Sequence, residues 1–147
     1  MDELLLFLHI AAAGTWIGGN VAQLVFKPRF RSPSASSSFW LATVDMGRKQ
    51  YTPAALVLLG TGLWIVARND AFDYENLFVA IGVVAVVIGA VLGMAVFAPQ
   101  GRKAAQLREA GSEADAVAVE RRLALFGGID TVVVLVAIAA MVWKWGL

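Results

Sequence analysis

Residues 4–26 read LLLFLHIAAAGTWIGGNVAQLVF, a run of 23 residues that carries no formal charge when His9 is neutral. An α-helix rises about 1.5 Å per residue, so this run is long enough to cross the roughly 30 Å hydrocarbon core of a bilayer. The sequence therefore predicts a first transmembrane helix over residues 4–26.

Three further apolar runs follow, over about residues 50–67, 77–98 and 123–145. Of the 147 residues, 59% are hydrophobic, and the mean hydropathy of +0.72 is above what a soluble core of this size requires. We therefore expect an all-α fold. The chain should form a single transmembrane domain over residues 1–147, built as an integral membrane four-helix bundle with cytoplasmic helical extensions.

Two segments outside these spans have their own predicted structure. The residues before the second span, including Phe39, Trp40 and Val44, are expected to form a separate helix along the membrane surface, with a bend of the second span at Pro53. The charged stretch 102–122 alternates signs at helical spacing, which is typical of a solvated surface.

The distribution of basic residues predicts the orientation. Ten of the 12 Lys and Arg side chains lie between spans one and two or between spans three and four, and only Arg68 and Lys144 lie on the other side. The positive-inside rule then places those two loops in the cytoplasm and both termini outside the cell (inner) membrane. Tryptophans near the predicted boundaries agree with an aromatic belt: Trp40 on the inner side, and Trp64, Trp143 and Trp145 on the outer side.

Composition also limits the chemistry. The chain has no cysteine, which excludes disulfides, thiolate metal sites, a cysteine nucleophile and covalent c-type haem. We expect the lipid bilayer as the main partner and no nucleic acid. A homo-oligomer or a larger membrane complex stays open.

The polar side chains of span one share a single helical stripe. Taking His9 as 0° and 100° per residue, Trp16 lies at about −20°, Asn20 at about 20° and Gln23 at about −40°. Such a stripe is expected to face the bundle interior, because an unpaired polar group in hydrocarbon is costly. It forms either interhelical hydrogen bonds or a functional site.

Asp130 is the only acidic residue deep inside a span. By helical rise, Asp130 lies about 10 Å from the inner end of span four, and Asn20 lies about 9 Å from the inner end of span one. Because these spans are antiparallel, we expect the two side chains to meet at one depth. Asp130 is either a functional acid or a structural hydrogen-bond partner.

His9, the only histidine, is predicted to lie in the outer half of the bilayer. Imidazole is a possible haem-iron ligand or a simple hydrogen-bonding group. At the same predicted depth lie Gly82 in span three, the helical turn 60–62 and Met141. A haem slot would use His9 as ligand, Met141 opposite it and Gly82 for room, but ordinary core packing would give the same pattern.

Leu8-His9, Trp16-Ile17-Gly18-Gly19 and Pro28-Arg29-Phe30 resemble the opening of the CopD copper-resistance family and its relatives. These include the HemJ-type protoporphyrinogen oxidases and other small four-span proteins. The resemblance covers roughly the first 30 residues. It implies that His9 is functionally required and tied to haem; the HemJ-like pattern also has a lysine in a later span, and span three here has none.

Three functional hypotheses follow, and whether the protein is an enzyme stays open. The first is a CopD/HemJ-like membrane protein that binds haem b through His9 for electron transfer or haem handling. The second is a cofactor-free structural or accessory membrane subunit. The third is a proton or solute pathway that uses His9 and Asp130.

Overall fold

The computed structural model describes the backbone of residues 2–147 and the side chains of residues 3–147. It contains four long helices: α1 (Asp2–Phe26), α2 (Pro33–Arg68), α3 (Leu77–Glu109) and α4 (Glu113–Trp143). No strand occurs within residues 2–147. The predicted all-α four-helix architecture is therefore confirmed.

The second helix is continuous. Its halves, Pro33–Met46 and Thr52–Arg68, are joined through a π-helical turn at Gly47–Tyr51. The expectation of a separate surface helix before span two is therefore wrong. The physical reason is that residues 34–52 contain no proline and only one glycine, so nothing in that stretch ends the helix.

α2 and α3 each contain a π turn that ends two residues before a proline. Gly47–Tyr51 is followed by Pro53 in α2, and Gly93–Phe97 is followed by Pro99 in α3. Proline lacks an N–H group and its ring collides with the carbonyl four residues earlier, and a wider turn relieves both problems. The disturbance expected at Pro53 is thus a π turn that leaves the helix unbroken.

The helices pack as two antiparallel pairs. α1 contacts the second half of α2, and the first half of α3 contacts α4. The first half of α2 and the last part of α3 extend beyond these pairs and pack on each other, and α4 covers the α3 extension. We call this end, formed by residues 27–49 and 99–122, the basic end.

Apolar clusters lie at both ends of the bundle. The cluster at the basic end joins α2, α3 and α4, and its buried members are Phe39, Trp40, Ala104, Ala105, Val119 and Leu123. The cluster at the opposite end consists of Val66, Phe78, Val79 and Ala140. The level between these clusters contains a polar hydrogen-bond network.

All four helices are long and apolar enough to cross a membrane. Trp64 and Trp143 are 54% and 69% exposed, as expected for residues of an aromatic belt. The belt position predicted for Trp40 is wrong, because this side chain is only 5% exposed. Its ring packs against Phe39 and its Nε1 is hydrogen-bonded inside the protein.

Candidate functional site

Asp130 is the centre of the polar network in the middle of the bundle. Its side chain is buried, and its Oδ2 accepts hydrogen bonds from Trp16 Nε1 at 3.1 Å and Asn20 Nδ2 at 2.9 Å. Asn20 Nδ2 also donates to Thr131 Oγ1 at 3.2 Å. The predicted meeting of Asn20 and Asp130 is confirmed. These bonds join α1 to α4, and therefore one helix pair to the other.

A chain of hydrogen bonds leads from Gln23 to Asp130. Gln23 Nε2 donates to the Tyr51 hydroxyl at 2.8 Å, and this hydroxyl donates to Asn20 Oδ1 at 2.9 Å. Because Asn20 Nδ2 then donates to Asp130, every donor in the chain points toward the carboxyl group. Bonds aligned in this way polarise and strengthen one another.

Tyr51 reaches this chain because of local backbone features on both helices. It is the last residue of the π turn Gly47–Tyr51, which presents its side chain to α1. On α1, a Cβ at Gly19 would lie only 2.5 Å from the Tyr51 hydroxyl oxygen. Glycine at position 19 therefore provides the space that the hydroxyl group occupies, whereas Gly18 has no atom within 4 Å of the equivalent position.

Gly89 lets α3 lie close to Trp16 and Asp130, as Gly19 lets α1 lie close to Tyr51. A Cβ at Gly89 would collide with the indole ring of Trp16 and would lie 3.4 Å from Asp130 Oδ1. Trp16 is 4% exposed and also makes an edge-on contact with the Tyr51 ring, with 6.0 Å between centroids. The network is thus enclosed by all four helices.

His9 is oriented by α2. Its Nδ1 lies 2.9 Å from Thr61 Oγ1, and the Thr61 hydroxyl donates to the Val57 carbonyl at 2.5 Å. With the Thr61 proton in that bond, the matching tautomer of His9 donates from Nδ1 to Thr61 and has its lone pair on Nε2. Metal-ligating histidines typically donate the other ring N–H to such an acceptor. The donor chemistry of His9 therefore fits an iron ligand.

Met141 and Gly82 meet between α4 and α3. The Met141 methyl group fills the space that a side chain at position 82 would take. His9, in contrast, packs on α2, where a Cβ at Gly62 would lie 3.1 Å from His9 Cε1. The space next to Gly82 is thus filled by Met141 itself.

Glu120 forms a second polar centre, at the basic end. Its carboxylate accepts hydrogen bonds from Lys27 at 3.0 Å, Ser36 at 2.8 Å, Trp40 at 3.0 Å and, through two nitrogens, Arg108 at 2.9 and 3.0 Å. Lys27 directly follows α1, Ser36 and Trp40 lie on α2, and Arg108 lies on α3. Most charged side chains of the stretch 102–122 are exposed, as its charge pattern predicts, but Glu120 is an exception at only 9% exposed.

The charge of Glu120 is stabilised by these partners. Burial acts to raise the pKa of Glu120, but the hydrogen bonds from Arg108, Lys27, Trp40 and Ser36 outweigh it and lower the pKa from 4.5 to about 2. The Lys27 ammonium also lies 4.7 Å from the centroid of the Trp40 ring. Glu120 is therefore an ionised acceptor at neutral pH that connects the four helices.

The sequence prediction missed Gly19, Tyr51 and Thr131 in the Asp130 network, Thr61 beside His9, and Arg108 and Glu120 at the basic end. The pair Gly18-Gly19 beside Asn20 was one available signal, because paired glycines permit close helix contacts. The proline two residues after Tyr51 was another, since it permits a π turn. Nothing in the charge pattern distinguishes Glu120 from its exposed neighbours.

Comparison with protein-family models, with curated proteins and with solved structures found no match to this chain.

Proposed function

We propose that the chain is a small multi-pass protein of the cell (inner) membrane that binds haem b, or a similar flat cofactor, through His9. Its role would be electron transfer or haem handling, as the resemblance of the first 30 residues to the CopD/HemJ group implies. One observation carries the proposal: His9 Nδ1 lies 2.9 Å from Thr61 Oγ1, and in the tautomer in which Nδ1 donates to Thr61 the free lone pair is on Nε2. Bound haem would supply a redox-active iron.

The proposal assigns the haem iron one protein ligand, His9. Met141 is seated against Gly82, so we assign it a packing role. The Asp130 network, in turn, serves to hold the two helix pairs together. A proton path through this network is disfavoured because Asn20 lies between Tyr51 and Asp130, and an amide N–H does not release its proton at accessible pH.

The ligand assignment is tested by three single variants expressed in haem-replete cells. His9→Ala should lose bound haem, and Thr61→Val should weaken haem binding by roughly 10- to 100-fold, because it removes the acceptor that orients the ligand. Met141→Leu is the matched control and should retain haem. The measurement is haem per folded protein after purification, with folding checked by helical circular dichroism and gel filtration.

Full haem content in His9→Ala would contradict histidine ligation. Equal loss of haem in all three variants would indicate that haem binding depends on the general packing of the outer half of the bundle and not on the ring nitrogen of His9.

The proposed orientation places the basic end in the cytoplasm, as the ten-to-two distribution of Lys and Arg favours. Because the chain has no native cysteine, single cysteines at exposed positions report on orientation directly. Ser34→Cys and Ala110→Cys should be protected from a membrane-impermeant thiol reagent in intact cells, and Ala71→Cys should react. All three should react in permeabilised cells, and the opposite pattern in intact cells would invert the orientation.

A further inference from the structure

An open groove of about 460 Å³ lies between the extensions of α2 and α3 at the basic end. Its wall is formed by Leu41, Ala42, Val44, Asp45, Arg48 and Arg102. We call it the Arg48–Arg102 groove. Its volume lies within the range of small-ligand sites, which is about 300–1,000 Å³.

The charges in this groove favour an anion. Arg48 and Arg102 form no ion pair with any described residue. Asp45, the one acid in the wall, is engaged by Lys49 at 2.5 Å, and this contact lowers the pKa of Asp45. The Asp45 charge is therefore compensated locally, and two guanidinium groups remain available to a ligand.

The location of the groove favours a lipid over a soluble anion. Arg48 lies two residues before the predicted span 50–67, and Arg102 lies four residues after the predicted span 77–98. The two guanidinium groups are therefore at the level where α2 and α3 leave the apolar segment of the bundle. Phospholipid phosphates occupy this level in a bilayer, and basic pockets between helices on the cytoplasmic side suit anionic head groups.

We infer that the Arg48–Arg102 groove binds the phosphate head group of an anionic phospholipid. Guanidinium groups bind phosphate oxygens with two parallel hydrogen bonds, which gives directional binding. Leu41, Ala42 and Val44 add apolar surface to the same wall, which suits the apolar part of a lipid.

The experiment uses delipidated full-length protein in neutral detergent, titrated with phosphatidylglycerol and followed by native mass spectrometry. The double variant Arg48→Gln/Arg102→Gln should bind about 30-fold more weakly than wild type, because each basic side chain at an anionic surface contributes roughly a factor of five. The control Arg29→Gln/Arg121→Gln removes the same charge from exposed positions outside the groove and should change binding less than about twofold.

Two further titrations identify the source of the phosphate. Phosphatidylcholine should bind at least tenfold more weakly than phosphatidylglycerol, and inorganic phosphate at the same concentration should not displace the lipid. Equal weakening in the two double variants would show that only general surface charge matters and would overturn the inference. Displacement by inorganic phosphate would overturn the choice of a lipid as ligand.

Discussion

Replacing Glu120 with alanine is expected to destabilise the bundle by about 3–5 kcal/mol, the largest effect of any single substitution that we propose. The substitution removes the shared acceptor of Arg108, Lys27, Trp40 and Ser36. Arg108, whose side chain is 11% exposed, then keeps a buried charge with only Glu113 as its partner. Reversible unfolding in mixed micelles with an increasing fraction of SDS measures this loss.

Glu113→Ala is the matched control for Glu120→Ala. Glu113 also pairs with Arg108, but its side chain is 54% exposed. Exposed ion pairs contribute about 0–1 kcal/mol, so this substitution should change the free energy of unfolding by less than about 1 kcal/mol. Similar losses in the two variants would contradict the role of Glu120 as the connection between helices.

The lowered pKa of Glu120 adds a pH dependence to the same prediction. The pKa of Glu120 is about 2 in the folded protein, against a reference value of 4.5. Its contribution to the free energy of unfolding is therefore complete above about pH 5 and is lost as the pH falls toward 2. Glu120→Gln should therefore remove part of the acid destabilisation that wild type shows between about pH 4.5 and 2. An unchanged acid transition would argue against a depressed pKa.

Replacing Asp130 with leucine is expected to have the second largest effect, a loss of about 2–3 kcal/mol. Two interhelical hydrogen bonds disappear, from Trp16 and Asn20, and the Trp16 indole N–H remains buried without an acceptor. Asp130→Asn retains a carbonyl oxygen as acceptor in the same position. It should lose less than about 1 kcal/mol in the same unfolding assay.

Haem content separates the structural role of Asp130 from a functional one. If the network only holds the helix pairs together, Asp130→Leu keeps a normal amount of haem per folded protein, although less protein folds.

Equal stability losses for Asp130→Leu and Asp130→Asn would show that the negative charge, and not the acceptor geometry, stabilises the network.

The sequence predicted the features that depend on helical geometry alone. Regular helical rise was sufficient to bring Asn20 and Asp130 to one depth, and they form a hydrogen bond of 2.9 Å. The same reasoning placed Gly82 and Met141 at one level, where they contact each other. The number of helices followed from hydropathy, because lipid requires long apolar runs.

The features that the sequence did not predict depend on which residues face each other across helices. Tyr51 enters the network because a π turn presents it to α1, and hydrophobic periodicity contains no signal for such a turn. Glu120 and Trp40 appeared as surface residues because a charge pattern does not reveal its partners on other helices. Here the extension of α2, which contains Trp40, packs on α3 and α4, and Trp40 Nε1 donates a hydrogen bond to Glu120.

The absorption spectrum of the purified wild-type protein tests the haem proposal most directly. Protein made in haem-replete cells and purified in mild detergent should show a Soret band, with haem stoichiometric with folded chain. Added haem should restore the band to protein made in haem-poor cells. A colourless, folded preparation from haem-replete cells that does not take up added haem would contradict the proposal and favour a cofactor-free membrane subunit.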